Sequence, residues 1–317
     1  MAMSRGPRRL LLRLLALALG VVAGAAAVEP WLAARVHSPE EARFAHVLDA
    51  SQPIRDVVFG PSHAMCGIDP RRLTGPPVTN LGIEGAGPAY LRRWYAFFRR
   101  HQGPPRRAIV VAAWFMFRRE ALPRTFEHDA MYLPTDELWA LATSPGTRLD
   151  VLLPNRFAVT KYHAMLTAPV PAGLAVPASW QARGYRPFPG RRAGEWRSEA
   201  TLASPVDPAL ITTFDAWLGD MRRDGVRTVV VQMPMYWPVM GHHDEEEGRL
   251  AAIARAHDMP FLNSHRGPGH ALGDDAANFW DHHHLGELGS QRATDVLDQA
   301  LARLGFWDEP SATRPPR

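Results

Sequence analysis

Two strand-like runs, one of them continuously apolar, do most to limit what this chain can fold into. Ala108-Ile109-Val110-Val111-Ala112-Ala113 and Thr228-Val229-Val230-Val231-Gln232-Met233 lack polar alternation, so neither suits a strand with one face in water. They fit strands buried on both faces, as in a parallel sheet covered by helices. Asp56 to Phe59 gives a first strand, Val78-Thr79-Asn80-Leu81-Gly82 a short second one, and Pro260-Phe261-Leu262-Asn263 a last one. Helical patterns fall between them. Residues 39 to 50 follow the capping residue Ser38 and carry acids in the first turn. The next sets Leu91, Trp94, Tyr95 and Phe98 on one face, with Arg92, Arg93, Arg99 and Arg100 on a solvated one. Asp207 to Arg223, Glu245 to His257 and Leu288 to Leu304 complete the series. Such alternation predicts an α/β fold, a three-layer α/β/α sandwich with a mostly parallel sheet.

Residues 118 to 205 break the rhythm. They are rich in Pro, Trp and Arg, with helical character only in Asp136 to Thr143 and Arg156 to Leu166. That stretch lacks the apolar periodicity for a core of its own, so it reads as an insertion bordering the site, within one domain of residues 38 to 307. Residues 308 to 317 form a Pro-rich tail expected to be disordered.

The N-terminus makes a separate statement. Arg5, Arg8, Arg9 and Arg13 precede a stretch from Leu14 to Val28 without a charge, and no acid comes before Glu29. A basic start followed by an apolar core marks export or membrane insertion. Residues 1 to 31 are therefore a signal anchor or a signal peptide. As an anchor, Leu10 to Trp31 spans a bilayer of roughly 30 Å and leaves the domain outside the cytoplasm, at the cell membrane. As a signal peptide, cleavage near Ala25-Ala26-Ala27 releases a secreted or periplasmic protein. The same four arginines account for the whole formal charge of +4, so the remainder is near neutral and gives no basic patch for nucleic acid. Cys66 is the single cysteine, which excludes an intrachain disulfide and a cysteine metal cluster. No cofactor motif surrounds Lys161, the only lysine.

Reactive groups in an open parallel sheet gather at the carboxyl ends of strands. Val57-Val58-Phe59-Gly60-Pro61-Ser62-His63 delivers a serine there, and Asp281-His282-His283-His284-Leu285 precedes the last helix. A serine hydroxyl needs a base, and the base needs an orienting acid. Asp281 and His284, three residues apart, can supply both: the carboxylate takes one ring nitrogen and the other faces Ser62. A metal site is the competing chemistry, since His282 to His284 and His242-His243-Asp244-Glu245 are ligand types. Consecutive histidines in a loop do not all face one ion, however, and no recognised zinc spacing is present. No metal and no cofactor are expected.

The motifs resemble those of the SGNH (GDSL-type) hydrolase superfamily, in its membrane-anchored cell-envelope branch. Gly60-Pro61-Ser62-His63 with Gly67-Ile68-Asp69-Pro70 is similar to the first block, Asn80-Leu81-Gly82 to the second, and Asp281-x-x-His284-Leu285 with Gly289 to the last. The resemblance runs from about Asp56 to Leu304 and implies an SGNH or flavodoxin-like fold. It implies Ser62 as nucleophile, His284 as base and Asp281 as orienting acid. It also implies an oxyanion hole from the amides of Ser62 and Gly82, with Asn80 as a further donor, and leaves His63 to contact substrate or to pack. The third block departs from the family: Ala113-Trp114-Phe115-Met116 stands where Gly-x-Asn-Asp is usual. The implied activity is esterase or acyltransferase, acting on acylated envelope polysaccharide or a similar ester. The alternative is a non-catalytic, membrane-anchored binder of polysaccharide or of a protein partner, favoured by the missing asparagine and by the aromatics of the insertion.

Overall fold

Five strands form one sheet: β1 (Asp56–Phe59), β2 (Val78–Asn80), β3 (Arg107–Val111), β4 (Arg227–Gln232) and β5 (Phe261–Asn263). Their order is β2-β1-β3-β4-β5 and every described pairing is parallel. All residues of β1 and β3 are buried, and β4 exposes only Arg227. Two-sided burial is what the continuous apolar runs require. The strands stop short of the apolar runs, because Leu81-Gly82 and Ala112-Ala113 leave the sheet to build the site. The structure, a computed structural model, describes residues 5–35, 39–118, 124–155, 183–188, 205–240, 243–264, 266–267 and 269–309. Ser38, His242, the helix expected from Arg156 to Leu166 and most of the C-terminal tail lie outside them.

The order reverses between β1 and β3, the switch point at which open α/β sheets form their crevice. Helices α1 (Arg5–Arg35), α2 (Pro39–Leu48), α3 (Ser62–Gly67), α4 (Pro88–Gln102), α5 (Thr135–Ala142), α6 (Leu149–Asn155), α7 (Pro208–Arg223), α8 (Trp237–Met240), α9 (Asp244–Ala256), α10 (His270–Asp274) and α11 (Glu287–Arg303) accompany the sheet. α4 packs on α7. The arginines expected to be solvated help join the two: Arg92 reaches Asp220 at 2.7 Å and Arg99 reaches Asp224 at 3.0 Å. Tyr95 adds a 2.6 Å bond to Asp224 from the buried face. α11 lies against α3.

The chain divides into two compact units, Met1–Glu41 with Glu127–Pro177, and Ala42–Phe126 with Ala178–Arg317. The sheet and every candidate site residue belong to the second. The first contains α1, α5 and α6. α1 is 31 residues long and exposes Leu10, Leu12, Leu14, Leu15, Leu17 and Leu19. Among the described residues, no helix is long and apolar enough to cross a membrane; the side chains of residues 29–35 are not among those described.

At the amino edge of the sheet, Arg107 and Asp56 form an ion pair at 3.0 Å with side chains only 2% and 6% exposed. The remaining Arg107 donors go to the carbonyls of Phe306 (3.1 Å) and Trp307 (2.9 Å). The pair thus fastens the end of the chain under the first and third strands.

Candidate active site

Ser62 is set in place by its backbone. β1 is followed by Gly60, whose φ of 153° is rare for residues with side chains and where a Cβ would meet the Val111 carbonyl at 2.7 Å. After Pro61 the chain turns directly into a helix: Ser62 opens α3, six residues that are all buried. A helix this short has little stability of its own, so packing against α11 and the sheet sustains it. Ser62 therefore occupies the first helical position, where a backbone N–H has no acceptor within the helix.

The partner loop is closed on itself. Trp280 N–H donates to the His284 carbonyl at 2.9 Å, and Tyr236 N–H to that of His282 at 3.0 Å. Asp281 Oδ1 accepts the amides of His283 (2.9 Å) and His284 (2.7 Å), which fixes the turn. Its other oxygen, Oδ2, lies 2.9 Å from His284 Nδ1, and His284 Nε2 lies 2.8 Å from Ser62 Oγ. A carboxylate can only accept, so in the neutral ring Nδ1 carries the hydrogen and Nε2 turns its lone pair to the serine. Burial alone would raise the Asp281 carboxyl. The His284 hydrogen bond and the nearby charges of His284 and His283 outweigh it and hold the group well below the usual carboxylate range.

The second block has a different arrangement from the one expected. Gly82 N–H donates to Asn80 Oδ1 at 3.0 Å, while Asn80 Nδ2 donates to the carbonyls of Ala64 (2.7 Å) and Ile68 (2.9 Å). Both expected oxyanion donors are thus engaged within the loop, where they brace α3 against β2. Asn-x-Gly in an Asx turn explains the spacing without an oxyanion. The glycine is required for close approach, since a Cβ on Gly82 would lie 2.5 Å from Met65 N. Asp69, in the first-block motif, caps a short 3₁₀ turn at Pro70–Arg72 and pairs with Arg71 at 2.7 Å.

His63 is 3% exposed, so its ring meets neighbours rather than solvent. It stacks on His284 (centroids 5.0 Å apart, 26° between planes), and its Nε2 lies 3.3 Å from His283 Nδ1. Burial, and after it the neighbouring His284 and His63 imidazoles, keep His283 well below the ordinary histidine range. Phe115, at the position where the third block would offer asparagine, packs on His63 (5.3 Å) and His283 (5.6 Å). Phe188 stacks on Trp280 at 4.4 Å and meets the His284 ring edge-on at 5.1 Å. In the sequence His283 stands out only as a possible metal ligand; Phe188 and Trp280 carry no signal for this site beyond their aromatic character, Trp280 lying next to Asp281. Cys66, beside the site, is fully buried, which pushes its thiol up and leaves it unreactive.

No protein-family model and no curated protein sequence matches the chain. Among solved structures it is similar to one described as a platelet activating factor from Streptococcus pneumonia, at 11% identity and a TM-score of 0.44, covering 88% of this chain and 99% of that one. It is also similar to the acetyl xylan esterase AlAXEase, at 9% identity and a TM-score of 0.35, covering 78% and 99%. At scores this low the functional reading stands on the geometry of this chain alone.

Proposed function

We propose that the protein is a serine-dependent esterase or acyltransferase of SGNH type. The unbroken relay from Asp281 through His284 to Ser62, at 2.9 and 2.8 Å, carries this proposal. Ser62 Oγ attacks an ester carbonyl while His284 Nε2 takes its proton. The same imidazolium, stabilised by the ionised Asp281, then protonates the departing alkoxide. Water or a sugar hydroxyl resolves the acyl-serine by the reverse proton route, giving hydrolysis or transfer. The Ser62 amide, in the first turn of α3, is the oxyanion donor that this geometry leaves open. The Phe188–Trp280 pair beside His284 offers an apolar face to an acyl group or a sugar ring. The substrate class we assign is acylated envelope polysaccharide or a similar ester. The arginine-led, leucine-rich N-terminal segment is the part we assign to export, as a membrane anchor or a cleaved signal peptide, with the site outside the cytoplasm.

One observation favours the non-catalytic reading. Gly82 and Asn80 already have acceptors and Phe115 supplies none of the missing donor capacity, whereas loss of one oxyanion donor typically costs about 100- to 1000-fold in rate. A fluorophosphonate probe separates the two. Prompt labelling of the full chain that disappears in both Ser62→Ala and His284→Ala is the expected result. Wild type that resists the probe while binding acylated polysaccharide would make it a binder.

A further inference from the structure

The three imidazoles of His63, His283 and His284 come together in a way the serine chemistry does not need. One ring nitrogen from each lies within 4.8 Å of the other two. His63 Nε2 and His283 Nδ1 are already 3.3 Å apart. Zinc bonds imidazole nitrogen at about 2.0–2.1 Å, so two ligands on a tetrahedral ion sit about 3.3–3.4 Å apart. The observed separation is therefore one edge of such a site. Consecutive His283 and His284 were expected to face apart; His63, from α3, gives both a shared target across 220 residues of sequence.

The surroundings fit as well. Metal-bound histidines commonly donate their second ring nitrogen to a carboxylate, which fixes the tautomer and strengthens the ligand. Asp281 takes this part for His284, 2.9 Å from its Nδ1, and lies near His283 Nε2 at 4.0 Å, beyond hydrogen-bond reach. That leaves His284 Nε2 and His283 Nδ1 as the nitrogens turned toward His63 and Ser62. Phe115 packs against two of the rings and lowers the local polarity. A set of neutral imidazoles backed by one carboxylate suits zinc better than the hard cations, which prefer oxygen.

We propose that His63, His283 and His284 form a zinc site that shares His284 Nε2 with Ser62. The fourth position is directed at Ser62 Oγ, 2.8 Å from His284 Nε2. Zinc and the serine proton compete for one lone pair, so the ion acts as a reversible inhibitor that disarms the base. This consequence, though not the binding itself, rests on the proposed role of His284.

Calorimetric titration of the metal-free full chain with zinc tests the site, with cobalt as a spectroscopic substitute. The expected result is one ion per chain, four-coordinate cobalt bands, and affinity retained in Ser62→Ala. His63→Gln and His283→Gln should each weaken binding at least about tenfold, since even outer partners of metal ligands cost that much. His283 lies at the rim, so His283→Gln tests the site even where the buried His63→Gln misfolds; circular dichroism identifies that case. No uptake by wild type, or uptake unchanged in a folded His283→Gln, overturns the proposal. Fluorophosphonate labelling separates the two readings. Labelling blocked by zinc and restored by a chelator supports both. Stoichiometric zinc on a chain that never labels supports the site and sinks the esterase, whereas labelling without zinc uptake does the reverse.

Discussion

The two edges of the sheet each bury an acid with a basic partner, and they differ in where the chain of bonds ends. At the amino edge, Arg107 joins Asp56 and spends its remaining donors on the carbonyls of Phe306 and Trp307. Among the described residues, that network joins Arg107 to carboxylates and backbone carbonyls and contains no imidazole or hydroxyl. At the carboxyl edge, Asp281 also satisfies two amides, but its second oxygen leads through an imidazole to a hydroxyl. A relay that ends on Ser62 leaves one lone pair and one transferable proton. One network closes the chain end onto the sheet; the other, on the same five strands, ends at the hydroxyl to which the proposed chemistry is assigned.

The contrast can be broken at either edge. The largest effect is expected at the open end: Ser62→Ala or His284→Ala should lower ester hydrolysis by about 10⁵-fold or more, with the melting temperature little changed. Retained turnover in Ser62→Ala would remove the nucleophile from the scheme. Asp281→Asn should cost about 10⁴-fold, through the wrong tautomer, and should also loosen the loop. Hydrogen exchange at the His283 and His284 amides reads the second effect separately.

At the closed end, Arg107→Met should destabilise by about 3–5 kcal/mol, because it strands Asp56 in the core. Labelling per folded molecule should hold steady, and denaturant melts paired with probe labelling check both halves. The double variant Asp56→Asn with Arg107→Met should recover part of the loss; a double variant no better than the single would mean that the backbone carbonyls, not the carboxylate, matter most.

The smallest effect concerns acid. His283 is held below its unfolded value of about 6.5, so below that pH the unfolded chain binds a proton that the folded chain refuses. Unfolding free energy should therefore fall as pH drops from 7 toward 5, at most about 1.4 kcal/mol per pH unit for one proton. The groups facing this ring are His63, His282, His284 and Asp281. His283→Gln should flatten that part of the curve. Asp281, depressed in the folded state, adds a second loss that begins only below about pH 3.9, the unfolded carboxylate value.

The strands and long helices were legible because burial on two faces, or on one stripe, writes its period directly into the sequence. Ser62, Asp281 and His284 were legible for a related reason: a strand end and a helix start are local features. α3 was not, since Ser62 to Gly67 carries no side-chain cap and is held by contacts with α11, far along the chain. Asn80 and Gly82, expected as oxyanion donors, are engaged with each other and with the carbonyls of Ala64 and Ile68. An Asx turn was written in their spacing, yet the family pattern drew attention to the oxyanion. The approach of His63 to His283 and the burial of Arg107 against Asp56 had no local signal, being products of the strand order.

The turn at Asp281 also bears on how such a site decays. The carboxylate that orients the imidazole is the one that closes its loop, so a change there spoils function and local structure together. Ser62, by contrast, shares its hydroxyl with His284 and, among the described residues, closes no turn. A lineage drifting away from turnover would shed the serine first at little cost to folding. Its descendants would keep Asp281 and the gathered histidines, as an intact receptor without a nucleophile.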